Sequence, residues 1–292
     1  MAFEIQSAVH GIAPRSSELH LLGTAAEKGR ASFEDFEALR DQEATEWLAF
    51  QEASGVDIYE NGKLHWQDRL RPIVESTTGF ADGIDQAPVT RWFATNTFYR
   101  QPTIVGDLIF DPEAFLSASG GVGKTVSLLS PGDFADLCQV EYDRPDNVLN
   151  LYRQIVRELG AVGVERVIFS RYSGEYGPPA FLDEALIARD KDAPAIVQLP
   201  TKLAGYTSNR AGHRVGNAQW LERWLPVIAG DTTATDAAPS DQDLRELAAT
   251  DLSGLVFTNT VDFEFLPLRH AKAKIEHLVE ITKSANERIQ QL

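Results

Sequence analysis

Cysteine is nearly absent: Cys138 is the one cysteine in 292 residues. It cannot close an intrachain disulfide, and a Cys-rich metal site is excluded. It lies in the helical-looking FADLCQVEY beside Phe134, Leu137 and Val140, which reads as a small core residue rather than a nucleophile. Basic charge is scarce too. Lys and Arg number 27 against 43 Asp and Glu, a formal net charge of −16. Phosphate contacts need clustered Lys and Arg, so nucleic acid is not expected as a main partner. Docking on an anionic membrane is not expected either. No apolar run approaches the roughly 20 residues that span a bilayer. The opening MAFEIQSAVHGIAPR has no basic region followed by an apolar one, so no secretion signal is read and a cytoplasmic location is expected.

Several motifs are missing. The six histidines, His10, His20, His65, His213, His270 and His277, show no HxH, HExxH or HxC spacing. A zinc site needs three or four ligands, so zinc is not expected. A dispersed site from His10, His65 and a carboxylate stays open, while His270 and His277 share one solvated face of the last helix. No GxSxG elbow occurs. GGVGKT invites a phosphate-loop reading, but the first Gly of GxxxxGK[ST] is Ala118, and TVSLLSPGD after it is β-prone. Thr125–Leu129 is read as a strand after a Gly turn.

What is present is an ordinary globular composition, 43% apolar and 24% charged. Strand, loop and helix alternate. Phe3–Val9 is a strand, and Ser16 or Ser17 can cap the helix after it. Ser32–Ser54 is a helix ended by Gly55, with Phe33, Phe36, Leu39, Trp47 and Phe50 as its core spacing. Val56–Tyr59 follows as a strand, giving a βαβ unit with parallel strands. Val105–Phe110 is a strand or an edge hairpin. Asp133–Tyr142 and Asp146–Gly160 read as helices, and Val164–Ser170 as a strand. Phe181–Arg189 reads as a helix, Ala195–Leu199 as a strand and Ala218–Ile228 as a helix that Pro226 cuts short. Gly230–Gln242 is a surface linker. Asp243–Thr250 is a helix, Leu255–Thr258 a strand, and the last helix starts near Pro267 with Ala271, Ile275, Leu278, Thr282, Ala285 and Ile289 inward. Seven or eight strand candidates favour a single (β/α)8 TIM barrel over residues 1–292.

In such a barrel the loops after the strands form the active face. The polar residues at strand exits are Arg15, Lys63, His65, Trp66, Asp68, Asn96, Tyr99, Arg171, Tyr172, Lys202, Asn259, Asp262 and Glu264. Lys63, His65 and Asp68 suit acid–base work if buried, or hold a loop by hydrogen bonds. A mouth lined by Arg15, Lys63, Arg171, Lys202 and Arg214 would draw an anionic ligand. Trp92, Phe93, Phe98 and Tyr99 around a Thr-Asn-Thr suit a ring-bearing ligand's rim, or plain packing.

Five segments in order resemble the cobalamin-independent methionine synthase family. GIAPRSSEL resembles its opening loop through Gly11, Pro14 and Arg15. GVDIYENGKLHWQDRLRPI resembles its second strand through Gly55, Asp57, Gly62, Trp66, Asp68, Arg71 and Pro72. TRWFATNTFYRQP matches at Trp92, Phe93, Thr95, Asn96 and Tyr99. TVSLLSPGDF resembles its strand-4 turn, and TNTVDFEFLP its last strand exit through Asn259, Glu264, Phe265, Leu266 and Pro267. The resemblance implies a TIM barrel and methyl transfer from a methyltetrahydrofolate-type or corrinoid donor to a thiol such as homocysteine. Trp66, Trp92 and Tyr99 would contact the ring, and Arg15, Lys63 and Arg171 the anionic groups. Asp68 and Asn96 would orient the site, with Tyr172, Asn259 and Glu264 as further substrate contacts. The chain departs from the zinc-bearing barrel. Val261 stands at the last zinc cysteine, Ser170, Arg171 and Tyr172 replace an Asp-Glu-Pro, Lys63 replaces an acidic or amide residue, and Asn61 takes an Asp position. It is closer to the family's zinc-free N-terminal barrel. The resemblance therefore implies no tightly bound cofactor and, as a partner, a separate zinc-bearing barrel. A non-catalytic scaffold for such a partner, or a zinc-free enzyme of other chemistry, are the other readings.

Overall fold

The computed structural model describes residues 4–81, 83–91, 98–171, 194–200, 212–214, 222–229, 236, 238–248 and 254–291. The chain divides into two compact units, the first made of Met1–His65 with Glu222–Leu292, the second of Trp66–Leu221.

In the first unit, β1 (Ile5–Val9), β2 (Ile58–Tyr59), β12 (Glu222–Ile228) and β13 (Gly254–Asn259) lie in the order β2-β1-β13-β12, all parallel. Parallel strands joined by helical crossovers are covered on both faces, which is why GLVFTN is almost wholly buried. Around them run α1 (Ser17–Glu27), α2 (Phe33–Ser54), α7 (Asp241–Ala248) and α8 (Leu268–Ile289). Ser16 Oγ accepts from Leu19 N, Ser32 Oγ accepts from Glu34 N, and Gly55 ends α2 in the left-handed region at φ 80°. The core joins Ile5, Val9, Trp47, Leu255 and Phe257 to Ala271, Ile275, Leu278 and Ala285 of α8. Ser7 N and Oγ both donate to Asp57 Oδ2, at 2.7 and 2.8 Å, tying β1 to the start of β2.

In the second unit, β7 (Thr125–Leu129), β9 (Arg166–Arg171), β10 (Ala195–Pro200) and β11 (Gly212–Arg214) pair in that order, the last antiparallel. A smaller sheet joins β3 (Thr77–Phe80), β6 (Thr103–Phe110) and β8 (Gln139–Val140), and β4 (Val89–Arg91) pairs with β5 (Phe98–Arg100). The helices are α3 (Arg71–Glu75), α4 (Pro112–Ala118), α5 (Pro131–Leu137) and α6 (Asn147–Ala161). Edge-to-face rings run through its core, from Phe134 to Tyr152 at 5.7 Å and from Tyr152 to Phe169 at 5.7 Å.

Thr125–Leu129 is a strand as expected, so the helix that a phosphate loop requires after Thr125 is absent. Three expectations are corrected. The stretch expected as a helix to Ile228 is the strand β12 from Glu222 onward. Pairing with β13 overrides the helical spacing, and Pro226, lacking an N–H, sits where the register shifts. The helix begun near Asp133 stops at Leu137, because Gln139 and Val140 pair with β6. Phe33 faces solvent, since the first turn of α2 precedes its packed stretch. No closed barrel is found among the described residues. The helix expected at Phe181–Arg189 and most of the Gly230–Gln242 linker lie outside them.

Candidate functional site

Three loops leave the C-terminal ends of β1, β2 and β13 and interlock in the first unit. Ala13 N donates to Gly62 O at 2.8 Å, and Phe263 N donates to Ile12 O at 3.0 Å. Two glycines make the fit possible. A Cβ on Gly11, at φ 93°, would stand 2.3 Å from the Asp262 Cβ. A Cβ on Gly62, at φ 77°, would stand 2.5 Å from Trp47 Cδ1 and 2.9 Å from the Ala13 Cβ.

This weave gathers polar side chains in a buried cluster: His10, Glu60, Lys63, Asn259 and Asp262 are each less than a tenth exposed. Lys63 Nζ donates to Glu60 Oε2, and Gly11 N donates to Glu60 Oε1 at 2.9 Å. Gln51 Nε2 fixes the Glu60 backbone carbonyl at 3.0 Å. Lys63 also sits at φ 51°, a left-handed conformation that a side chain other than glycine rarely takes, so the turn after Gly62 holds strain at the cluster. Asn259 clamps His10: His10 N donates to its Oδ1, and its Nδ2 donates to the carbonyls of His10 and Val261. Burial pushes the His10 pKa below its ordinary 6.5. Nearby Glu60 and Asp262 oppose that shift and Lys63 adds to it. The ring is therefore neutral near pH 7. At the margin, Arg15 faces Glu264 at 3.8 Å and reaches the Leu64 carbonyl at 3.5 Å. The arrangement offers carboxylates, an ammonium and a neutral imidazole with little solvent between them, the setting in which charge-assisted contacts to a small polar ligand are strong.

Of the residues picked from sequence, Arg15, Lys63, Asn259, Asp262 and Glu264 come together here. His65 lies in the same unit but binds Asp41 Oδ1 at 2.9 Å, with its pKa lowered by partial burial and by Arg40. Lys63 pairs with Glu60, His65 with Asp41, and Asp68 Oδ1 caps α3 by accepting from Leu70 N and Arg71 N. Trp66 is only 2% exposed and packs edge-on against Phe115 at 5.9 Å, in the core of the second unit rather than on a rim. Tyr99 is buried as well, its hydroxyl donates to Leu137 O at 2.9 Å, and its pKa rises to about 12 through burial. Trp92, Asn96 and Tyr172 lie outside the described residues, as does the side chain of Arg171.

The fold is shared with B12-independent methionine synthase structures. One, from Shewanella sp. W3-18-1 in complex with selenomethionine, superposes with a TM-score of 0.66 at 13% identity, covering 100% of both chains. Another, the provisionally assigned vitamin-B12-independent methionine synthase of Listeria monocytogenes, gives a TM-score of 0.63 at 14% identity, covering 96% of this chain and 98% of that one. No family sequence model and no curated protein sequence matches the chain.

Among the described residues no group of three His, Cys, Asp or Glu side chains could hold a metal ion. The thiol of Cys138 is buried in the second unit's apolar core, and burial holds its pKa well above the usual thiol range. Sequence reasoning missed Glu60 as a site residue and weighed His10 only as a metal ligand. The signal for Glu60 was its place directly after Ile58–Tyr59, since a carboxylate leaving the C-terminal end of a parallel strand stands where such folds place ligands.

Proposed function

We propose that this chain is a methionine-synthase-like methyl-transfer protein, a single (β/α)8 barrel over residues 1–292 that works in the cytoplasm without a zinc of its own. The buried cluster of His10, Glu60, Lys63 and Asp262 would seat the amino-acid end of a thiol or thioether such as homocysteine or methionine. Lys63 would meet the carboxylate, and Glu60 and Asp262 the ammonium. A methyltetrahydrofolate-type or methylcorrinoid donor, the expected anionic ring-bearing ligand, would reach it from the side of Arg15. One observation carries the reading. The three segments that resemble the methionine synthases around Gly11–Arg15, Asp57–Gly62 and Asn259–Pro267 are far apart in sequence, yet interlock at one strand end and bury ionisable groups there. The selenomethionine complex of the Shewanella protein agrees with that ligand class.

The test is methyl transfer from methyltetrahydrofolate, as mono- and triglutamate, or from methylcobalamin, to homocysteine, with metal content measured on the same sample. Transfer by the zinc-free chain supports an enzyme. Transfer only after mixing with a zinc-bearing methionine synthase barrel supports the second reading, a non-catalytic partner barrel, which the sequestered Cys138 thiol favours. Transfer in neither arm refutes both.

A further inference from the structure

The His10 ring is held by one nitrogen only. Its Nε2 stands 3.0 Å from the backbone carbonyl of Asn259. A carbonyl can only accept, so Nε2 carries the hydrogen and the neutral ring leaves Nδ1 as a bare acceptor. Nδ1 is sealed from solvent and has no hydrogen-bond partner among the described residues. A buried acceptor left unmet is destabilising, and its persistence calls for an occupant. The backbone around the ring is over-determined, since Asn259 takes His10 N and O and the neighbouring Gly11 N is taken by Glu60. The open valence is therefore confined to the one ring atom, beside the Glu60–Lys63 pair.

We infer that His10 is a ligand-positioning residue: its Nδ1 accepts a hydrogen bond from an N–H or O–H donor, an ammonium group first of all, of the small molecule that fills the strand-end cluster. This rests on the reading of that cluster as the ligand site. His10 then selects for a donor-bearing ligand. A ligand lacking the donor leaves Nδ1 unmet, whereas one that carries it meets the acceptor and the flanking carboxylate together.

Two substitutions separate this role from a structural one. In His10→Gln the side-chain amide can still donate to the Asn259 carbonyl from the Nε2 position, but the acceptor at Nδ1 is gone. In His10→Asn an acceptor oxygen falls near the Nδ1 position and the bond to Asn259 is lost. With L-methionine as probe, His10→Gln is expected to bind at least about tenfold more weakly while unfolding like the wild type. His10→Asn is expected to keep most of the affinity at lower stability. The nitrogen-15 resonance of Nδ1 is expected to move from a bare toward a hydrogen-bonded acceptor as L-methionine is added. Wild-type affinity in His10→Gln with loss in His10→Asn would overturn the inference, because that pattern belongs to a purely structural ring. If L-methionine fails to bind the wild type, the proposed function is refuted separately, and the inference is read with methylammonium, a bare donor. A shift of Nδ1 on its addition supports the acceptor role, and an unmoved Nδ1 overturns it.

Discussion

His10 and Asn259 hold each other through three hydrogen bonds: His10 N to Asn259 Oδ1 at 3.1 Å, Asn259 Nδ2 to His10 O at 2.9 Å, and His10 Nε2 to Asn259 O at 3.0 Å. The first and last strands of the unit's parallel set are thereby locked at the level of the candidate site. With Nδ2 also donating to Val261 O, the Asn259 amide is occupied by the backbone.

Replacing Asn259 by Asp keeps the shape and removes both donors. Two buried carbonyls lose their partner and face a carboxylate instead. A loss of about 2–3 kcal/mol in unfolding free energy is expected from urea denaturation. A loss below about 0.5 kcal/mol, the range of an ordinary surface change, would refute the clamp.

Gly62 is fixed by conformation and by space. Gly62→Ala would put a methyl against Trp47 and Ala13 at a left-handed φ of 77°. A destabilisation of about 2–4 kcal/mol is expected by chemical denaturation. The same change at Gly55, which has a similar φ of 80° but nothing within 4 Å, is expected to cost about 1–2 kcal/mol, from backbone strain alone.

The Glu60–Lys63 pair is buried at 3% exposure on each residue. Breaking it from one side strands a charge, so Lys63→Met and Glu60→Gln are each expected to cost about 3–5 kcal/mol. The double change is expected to cost clearly less than the two single losses together. Additive losses in the double-mutant cycle would contradict a coupled pair.

Stability is expected to depend on pH through His10. Its folded pKa lies below the ordinary 6.5, so on acidification the unfolded chain takes up a proton first. The stabilisation from the neutral ring is full above pH 6.5 and falls as pH drops below it, until the folded pKa is reached. The slope is at most about 1.4 kcal/mol per pH unit. Burial sets the direction; Glu60, the bond to the Asn259 carbonyl and Asp262 favour the protonated ring, and Lys63 disfavours it. His65 titrates in the same direction, so the decisive curve is the wild type minus His10→Gln. A flat difference between pH 7 and 5 would contradict the burial of an uncharged His10.

The sequence made the helix caps, the parallel β1–α2–β2 unit and the buried face of α8 readable, because spacing, capping and breaker residues are local signals. The same holds for the β7 strand that undoes the phosphate-loop reading. The identity of β12 was not readable. Its strand state comes from pairing with β13, and AQWLERWLPVI alone carries helical spacing. At the site, Arg15, Lys63 and Glu264 could be marked from their strand-exit positions. Trp66 and Tyr99 could not be told from rim residues, since aromatic rings suit a core and a ligand equally and only packing decides. Glu60 and His10 were hidden for the opposite reason. A lone carboxylate or histidine after a short strand has no motif, and the Gly11–Asp262 and Gly62–Trp47 contacts that bury them join residues far apart in the chain.

Calorimetric titration with L-methionine tests the central claim most directly, with wild type and Lys63→Met compared at pH 7. Saturable one-to-one binding is expected for the wild type, weakened at least about tenfold in a Lys63→Met protein that still shows a cooperative unfolding transition. Absence of any heat of binding up to millimolar L-methionine, or equal affinity in the two proteins, would contradict the assignment of the ligand to the cluster around His10, Glu60 and Lys63.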